Sequence, residues 1–154
     1  MGNAPQRSAA RLAAVQALYQ MEVSGKGLTE TRNEFESFWI GSEIEGAQYE
    51  EAEIAFFRDV LGGVLADQVP IDRAVDKTLT KGWPLVRVDS VIRAILRAGT
   101  YELMKRKDIP VRVSIKEYVD VAGAFFGHDE AGMVNAVLDS LARQFRPEEF
   151  ESRR

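Results

Sequence analysis

Apolar residues return to one side of a helix along the stretch from Val88 to Lys105. Val88, Ile92, Ile95, Leu96, Gly99 and Leu103 follow one another at steps of three or four, with Leu96 beside Ile95. Only the 3.6-residue turn of an α-helix gathers that set onto one face. Arg93 and Arg97 sit one turn apart on the opposite face. Gly99 lies inside the apolar stripe, where it gives up roughly 1 kcal/mol of helix propensity relative to Ala, so a second helix packing backbone to backbone is expected there. Glu102 projects towards the apolar side, where a carboxylate without a partner is costly. It reads as a structural carboxylate held by an arginine or by backbone N–H groups, ahead of a catalytic acid. This helix is read as the central post of an all-α domain.

The rest of the chain supplies helices to wrap it. Gln6–Val23 is rich in Ala, Leu, Gln and Arg, with Leu12, Val15 and Tyr19 assigned to its inner face. After Ser24–Gly27, Thr29 is placed as the cap of a second helix to Ile40, with Phe35, Phe38 and Trp39 inward. Gly41–Gly46 reads as a loop. A third helix from Tyr49 or Glu50 repeats Ile54, Phe57, Val60, Leu61, Val64 and Leu65, and Gly62-Gly63 inside it marks a close helix crossing. Pro70 suits the first turn of a fourth helix to about Thr80. Lys81–Pro84 is punctuation. Ser114-Ile115-Lys116-Glu117 has the form of a capping box, which places a helix start near Ile115. Asp129 is the expected cap of a last helix running to Gln144 on Val134, Val137, Leu138 and Leu141. No strand pattern competes. About seven helices are expected. Residues 1–6 are expected to form a flexible start and 147–154 a charged, disordered tail.

The 154 residues suffice for a single core without staples. The chain has no cysteine and one histidine, His128, which excludes disulfides, thiolate metal sites and a cysteine nucleophile. No conventional metal site can be assembled, and no metal or cofactor is expected. No apolar run approaches the ~20 residues of a membrane span, and the start lacks a secretory profile, so a cytoplasmic protein is expected. No Walker loop, dinucleotide fingerprint or nucleophile elbow occurs. With no enzyme signature, binding is the better default.

The net charge of −4 is unevenly spread. Between Glu22 and Asp59, ten acidic residues face three basic ones; between Arg93 and Lys116, seven basic residues face two acidic ones. The acidic total therefore leaves room for a basic patch. At the chain start, Arg7 and Arg11 lie one turn apart near a helix N-terminus, where the dipole favours anions. Two cations there are what a phosphate-binding end would carry, and also what a solvated helix end carries.

Five blocks together resemble one family. Arg7-Ser8-Ala9-Ala10-Arg11 leading into Ala14-Val15-Gln16-Ala17-Leu18-Tyr19 is similar to the opening helix of the NusB family, the bacterial transcription antitermination factors. Phe57-Arg58-Asp59 with Leu61 and Gly63-Val64, Ile95-Leu96-Arg97 with Tyr101-Glu102-Leu103, and Ile109-Pro110 through Ile115-Lys116-Glu117 resemble the next three signatures. Met133-Val134-Asn135-Ala136-Val137-Leu138-Asp139 resembles the last. The blocks follow the family's order across residues 7–146.

The resemblance implies an all-α domain over residues 7–146 built as two small bundles packed together, binding to boxA single-stranded RNA of nascent ribosomal transcripts, partnership with the ribosomal protein NusE, and indirect action on elongating RNA polymerase. Carried over position by position, Arg7, Arg11 and Tyr19 match the RNA-facing opening motif, and Met133 and Asn135 the last one. Phosphate contacts would carry much of the affinity and bases would stack on aromatics. The family's arginine run is thinned here by Ser8, Ala9 and Ala10, which implies weak RNA binding by this chain alone. Met133 stands for the usual Phe, Ala136 for Gly, Lys116 for Asn, and Ile92 for a common acidic residue. Two alternatives stay open: a helical protein-interaction module without RNA contact, and an RNA-targeting domain related to ribosomal-RNA cytosine methyltransferases. A homodimer is compatible with the apolar helix faces.

Overall fold

In a computed structural model of the chain, the described residues are 4–42, 51–79 and 88–151, with side chains described at 7–36, 54–79 and 88–151. They form eight helices and no strand: α1 Ala4–Ser24, α2 Leu28–Ser42, α3 Glu51–Ala66, α4 Gln68–Thr78, α5 Ser90–Lys105, α6 Val111–Phe125, α7 His128–Phe145 and α8 Glu148–Glu151. The first three helices pack on one another, α6 pairs with α7, and α5 lies between the two groups against α1, α3, α4, α6 and α7. The central-post reading of Val88–Lys105 therefore holds. Phe38 and Trp39, most of the expected 41–46 loop, and Lys81–Pro84 lie outside the described side chains or residues.

Helix α5 is buried over ten of its sixteen residues, including Ile92, Ile95, Leu96, Gly99 and Leu103. Asp89 caps it, its carboxylate accepting the Val91 N–H at 2.8 Å. Gly99 does make room for a neighbour, but for a side chain and not for a backbone. A Cβ there would stand 3.0 Å from Leu138 Cδ1 and 3.4 Å from Tyr118 Cδ2. At the glycine pair of α3, only Gly63 is a close crossing. A Cβ on it would overlap the Tyr101 ring, 2.7 Å from the hydroxyl oxygen, whereas Gly62 faces open space.

The buried face of α1 differs from the expected stripe. Ala10, Ala13, Ala14, Val15, Ala17 and Leu18 are buried, while Leu12 and Tyr19 are each 38% exposed. Small side chains bring α1 close to α3 and α5, Val15 and Leu18 pack with them, and Leu12 and Tyr19 turn outward. Alanine burial carries little weight in a search for bulky residues, which is why periodicity of Leu, Val and Tyr selected a different face.

Three terminus assignments change. Helix α2 begins at Leu28, so Thr29 lies inside it. Helix α6 begins at Val111 after Pro110, and Ser114 is not a cap: its hydroxyl donates to Glu102 at 2.8 Å. Helix α7 begins at His128 after Gly127, so Asp129 sits in its first turn, where a carboxylate complements the dipole without capping.

The chain end is structured through Glu151. Arg146 is fully buried. Its guanidinium donates to the carbonyls of Glu102, Leu103 and Arg106, at 2.9, 3.0 and 2.7 Å, and of Ile109 at 2.6 Å. Two of these carbonyls, of Glu102 and Leu103, lie in the last turn of α5, and the Glu102 carbonyl also accepts the Arg106 N–H at 2.9 Å, so Arg146, the residue that follows α7, helps the backbone to cap the end of α5. Glu149 in α8 binds Arg146 at 2.8 Å and accepts the Val111 N–H at 3.0 Å, and Phe150 packs on the core beneath Arg143. The expected disordered tail is thus an ordered helical turn over 148–151.

Candidate nucleic-acid interface

The start of α1 meets α3, α5 and α6 around one buried ring. Phe56 is 3% exposed. The guanidinium carbons of Arg7, Arg11 and Arg106 stand 4.7, 5.0 and 5.1 Å from its centroid. Cations over an aromatic face are attracted by its quadrupole, which gathers the three guanidinium groups around one ring.

The three arginines have different partners. Arg11 is 3% exposed and Glu102 fully buried. Arg11 donates through Nε and Nη2 to the two Glu102 oxygens at 2.7 and 3.1 Å, and its Nη1 lies 3.3 Å from Glu117. Tyr118 and Ser114 donate to the same Glu102 carboxylate at 2.6 and 2.8 Å. Burial draws the Arg11 pKa down, but hydrogen bonding and charge from Glu102 outweigh it and leave it raised. Burial, followed by the Glu102 charge, pushes the Tyr118 phenol well above its ordinary value. Glu102 is therefore the structural anchor read from the sequence. Arg11 is its counter-ion, and the assignment of Arg11 to phosphate contact is corrected: a guanidinium committed to a buried carboxylate offers little to a ligand outside.

Arg106 is also committed, to Asp108 at 2.9 Å and to Asp59 at 3.0 Å. The Arg106 guanidinium holds the Asp108 carboxyl at about 2. Arg7 differs from both. It is half-buried over Phe56 and makes no ion pair with another described residue. It is the arginine of this cluster whose charge is not neutralised by a carboxylate in contact.

The basic stretch from Arg93 to Lys116 is largely neutralised within the fold. Arg93 pairs with Glu22 of α1 and donates to the Val88 carbonyl. Arg97 binds Asp72 of α4 at 2.8 and 2.9 Å, and Lys116 binds Asp120 at 2.8 Å. Arg93 and Arg97 are ties between helices. The charge count could not show this for Arg93 and Arg97, whose acidic partners lie 71 and 25 positions away in the sequence.

Tyr19 lines a groove of about 370 Å³ with Val15, Gln16, Gln20, Phe35, Val91 and Phe125. Phe125 is 45% exposed, and its ring centroid is 6.4 Å from that of Phe126. Sequence reasoning missed Phe125. The available signal was the Phe125-Phe126 pair at a helix end, where adjacent side chains point about 100° apart. Arg7 and Tyr19 are separated by about 18 Å along α1, at 1.5 Å per residue.

The two α7 residues lie elsewhere. Met133 is partly buried and lines a cavity of about 300 Å³ with Val88, Asp89, Ile92, Asp129 and Glu130. Three carboxylates in that lining disfavour a phosphate. Asn135 is exposed. The Met133 cavity and the Tyr19 groove flank the first turn of α5, lined by its Ile92 and Val91 respectively. No group of three or more metal-ligating residues occurs among the described residues.

Comparison with known proteins gives a consistent identity. Residues 8–143 match the model of the NusB family. Transcription antitermination protein NusB of Rhodopseudomonas palustris (strain HaA2) is 63% identical over 147 residues, covering 96% of this chain and 87% of that protein. The protein of the same name from Nitrobacter hamburgensis is 60% identical over 96% of this chain and 92% of its own length. Among solved structures, T. maritima NusB superposes with a TM-score of 0.80 at 29% identity, covering 94% of this chain and 96% of that one. A crystal structure of antitermination factors NusB and NusE in complex with dsRNA matches in fold, with a TM-score of 0.77 at 20% identity over 92% of this chain and 99% of the other. With the five signature blocks placed on α1, α3, α5, α6 and α7 of an all-helical fold, the chain belongs to the NusB family.

Proposed function

We propose that this chain is a transcription antitermination factor. It binds boxA-type RNA of nascent ribosomal transcripts together with NusE, and the assembly helps RNA polymerase resist termination in the cytoplasm. The observation that carries this reading is the 63% identity to a transcription antitermination protein across 96% of the chain. The chemistry is recognition and recruitment, with no bond made or broken.

The geometry favours a division of labour. Arg7 supplies a phosphate contact, because it forms no ion pair with a described carboxylate, its charge reaching Asp108 only at longer range. Such contacts give affinity without sequence preference. Tyr19 and Phe125 flank a groove in which an unpaired base can stack. Asn135 is free to hydrogen-bond a base edge, and Met133 offers apolar contact where the family carries an aromatic. A single available arginine at the start of α1 makes binding by this chain alone weak and gives NusE a large share of the affinity.

Titration of 5′-labelled boxA RNA and a scrambled control, with and without NusE, tests the reading. The expected result is preference for boxA that strengthens with NusE and weakens steeply with salt. Equal binding of both RNAs in the presence of NusE would overturn it and favour the protein-interaction module.

A further inference from the structure

Helix α1 starts against its own dipole. Its first turn carries no acidic residue, and Arg7 and Arg11 sit near the end where the dipole favours anions. The missing countercharge comes from other helices. Glu102 of α5 takes Arg11 in its buried pair. Glu117 of α6 accepts a hydrogen bond from the Ser8 hydroxyl at 2.6 Å and lies 3.3 Å from Arg11 Nη1. Glu102 is occupied by Arg11, Ser114 and Tyr118, whereas Glu117 touches the residue next to Arg7 and keeps a side chain 25% exposed. The start of α1 is therefore pinned by a carboxylate borrowed from α6.

We infer that Glu117 is a positioning residue for RNA binding: by holding Ser8 and Arg11 it fixes the first turns of α1 and keeps Arg7 in place over Phe56. This rests on the RNA-binding reading above. Glu117 acts in two opposed ways. Its hydrogen bonds order the arginine-bearing turn, while its charge repels phosphate. Glutamine separates the two effects, since it retains an acceptor for Ser8 without the charge, whereas alanine removes both.

The experiment compares E117Q, E117A, S8A and the S8A/E117A double variant, each confirmed as helical and folded by circular dichroism and urea unfolding. Two readouts are taken: hydrogen exchange of the 4–12 segment in the protein alone, and affinity for boxA RNA with NusE. Glu117→Gln is expected to keep the segment protected and to bind RNA at least as tightly as the starting protein. Glu117→Ala is expected to raise exchange in 4–12 and to weaken RNA binding about five-fold, a coupling of ordinary size for contacting residues. Ser8→Ala should move both readouts the same way, and by less once Glu117 is alanine. A purely structural role would lower stability while the folded protein kept its RNA affinity, and that result overturns the inference. So does E117A binding RNA as tightly as E117Q, which would leave repulsion as the only effect. If the starting protein shows no preference for boxA, the RNA reading itself fails, and the exchange data still show whether Glu117 pins the helix.

Discussion

Replacing Arg11 with Met separates the two roles that its sequence position suggests. The change removes two hydrogen bonds to Glu102, at 2.7 and 3.1 Å, and the approach to Glu117 at 3.3 Å. Both members of the main pair are shielded from water, Arg11 at 3% exposure and Glu102 at 0%, so solvent does not screen the loss. Removing one partner of a buried pair typically costs about 3–5 kcal/mol because the other charge is stranded. Glu102 retains donors in Ser114 and Tyr118, which places the expected cost near the lower end, about 3 kcal/mol. In urea unfolding with a slope of about 2 kcal/mol/M, the midpoint should fall by about 1.5 M at unchanged slope. Adding Glu102→Gln to Arg11→Met removes the stranded charge and should recover part of the loss, a coupling that the double-mutant cycle measures directly. The reasoning is refuted if Arg11→Met stays within about 0.5 kcal/mol of the starting stability, the range of an ordinary surface change, while losing RNA affinity. Arg11 would then be a phosphate contact after all.

Other consequences follow from the same contacts. The adjacent glycines of α3 should respond oppositely: Gly63→Ala must displace Tyr101 from its 2.7 Å bond to Asp59 and should cost about 1–3 kcal/mol, while Gly62→Ala meets open space and should add up to about 1 kcal/mol, both read by thermal unfolding. Arg146→Met removes the donor to the Leu103 and Ile109 carbonyls and should destabilise by about 2–5 kcal/mol, with increased hydrogen exchange in residues 103–111. The phenols of Tyr118 and Tyr101 are both raised, chiefly by burial. The unfolded chain ionises these groups near pH 10 while the folded chain holds them neutral, so their contribution to stability is constant below about pH 10 and stability falls as pH rises above it. Tyrosinate absorbance should appear together with loss of helix; ionisation of all tyrosines well before unfolding would contradict this.

Helices were legible from one sequence and their partners were not. The periodicity of Val88–Lys105 is a local property, and α5 follows it closely. Glu102 was legible as a structural carboxylate because its type conflicts with its face. Its partner Arg11 lies 91 positions away, and nothing local distinguishes an arginine bound to a buried carboxylate from one bound to phosphate. The same limit applies to Arg93 and Arg97, whose partners on α1 and α4 turn an apparent basic patch into interhelical ties. Ser114 shows a different failure. Its capping-box pattern is genuine at the level of residue types, but a buried carboxylate competes for the hydroxyl, and Pro110 starts the helix one turn earlier. Arg146 was read only as the edge of the helical domain, because charge alone does not reveal four backbone carbonyls converging on one guanidinium. Arg7 and Tyr19 were selected by family resemblance, and the structure adds the difference in partners between Arg7 and Arg11 and the exposed Phe125 beside Tyr19.

The central claim is that Arg7, and not Arg11, meets the RNA backbone. The most direct measurement is the salt dependence of boxA RNA affinity in the presence of NusE, for the starting protein and for Arg7→Ala. Loss of one phosphate contact to a single strand should lower affinity at each salt concentration and make the slope of log K against log salt shallower by about 0.7, with unfolding stability almost unchanged. An unaltered slope and affinity in Arg7→Ala would contradict the account.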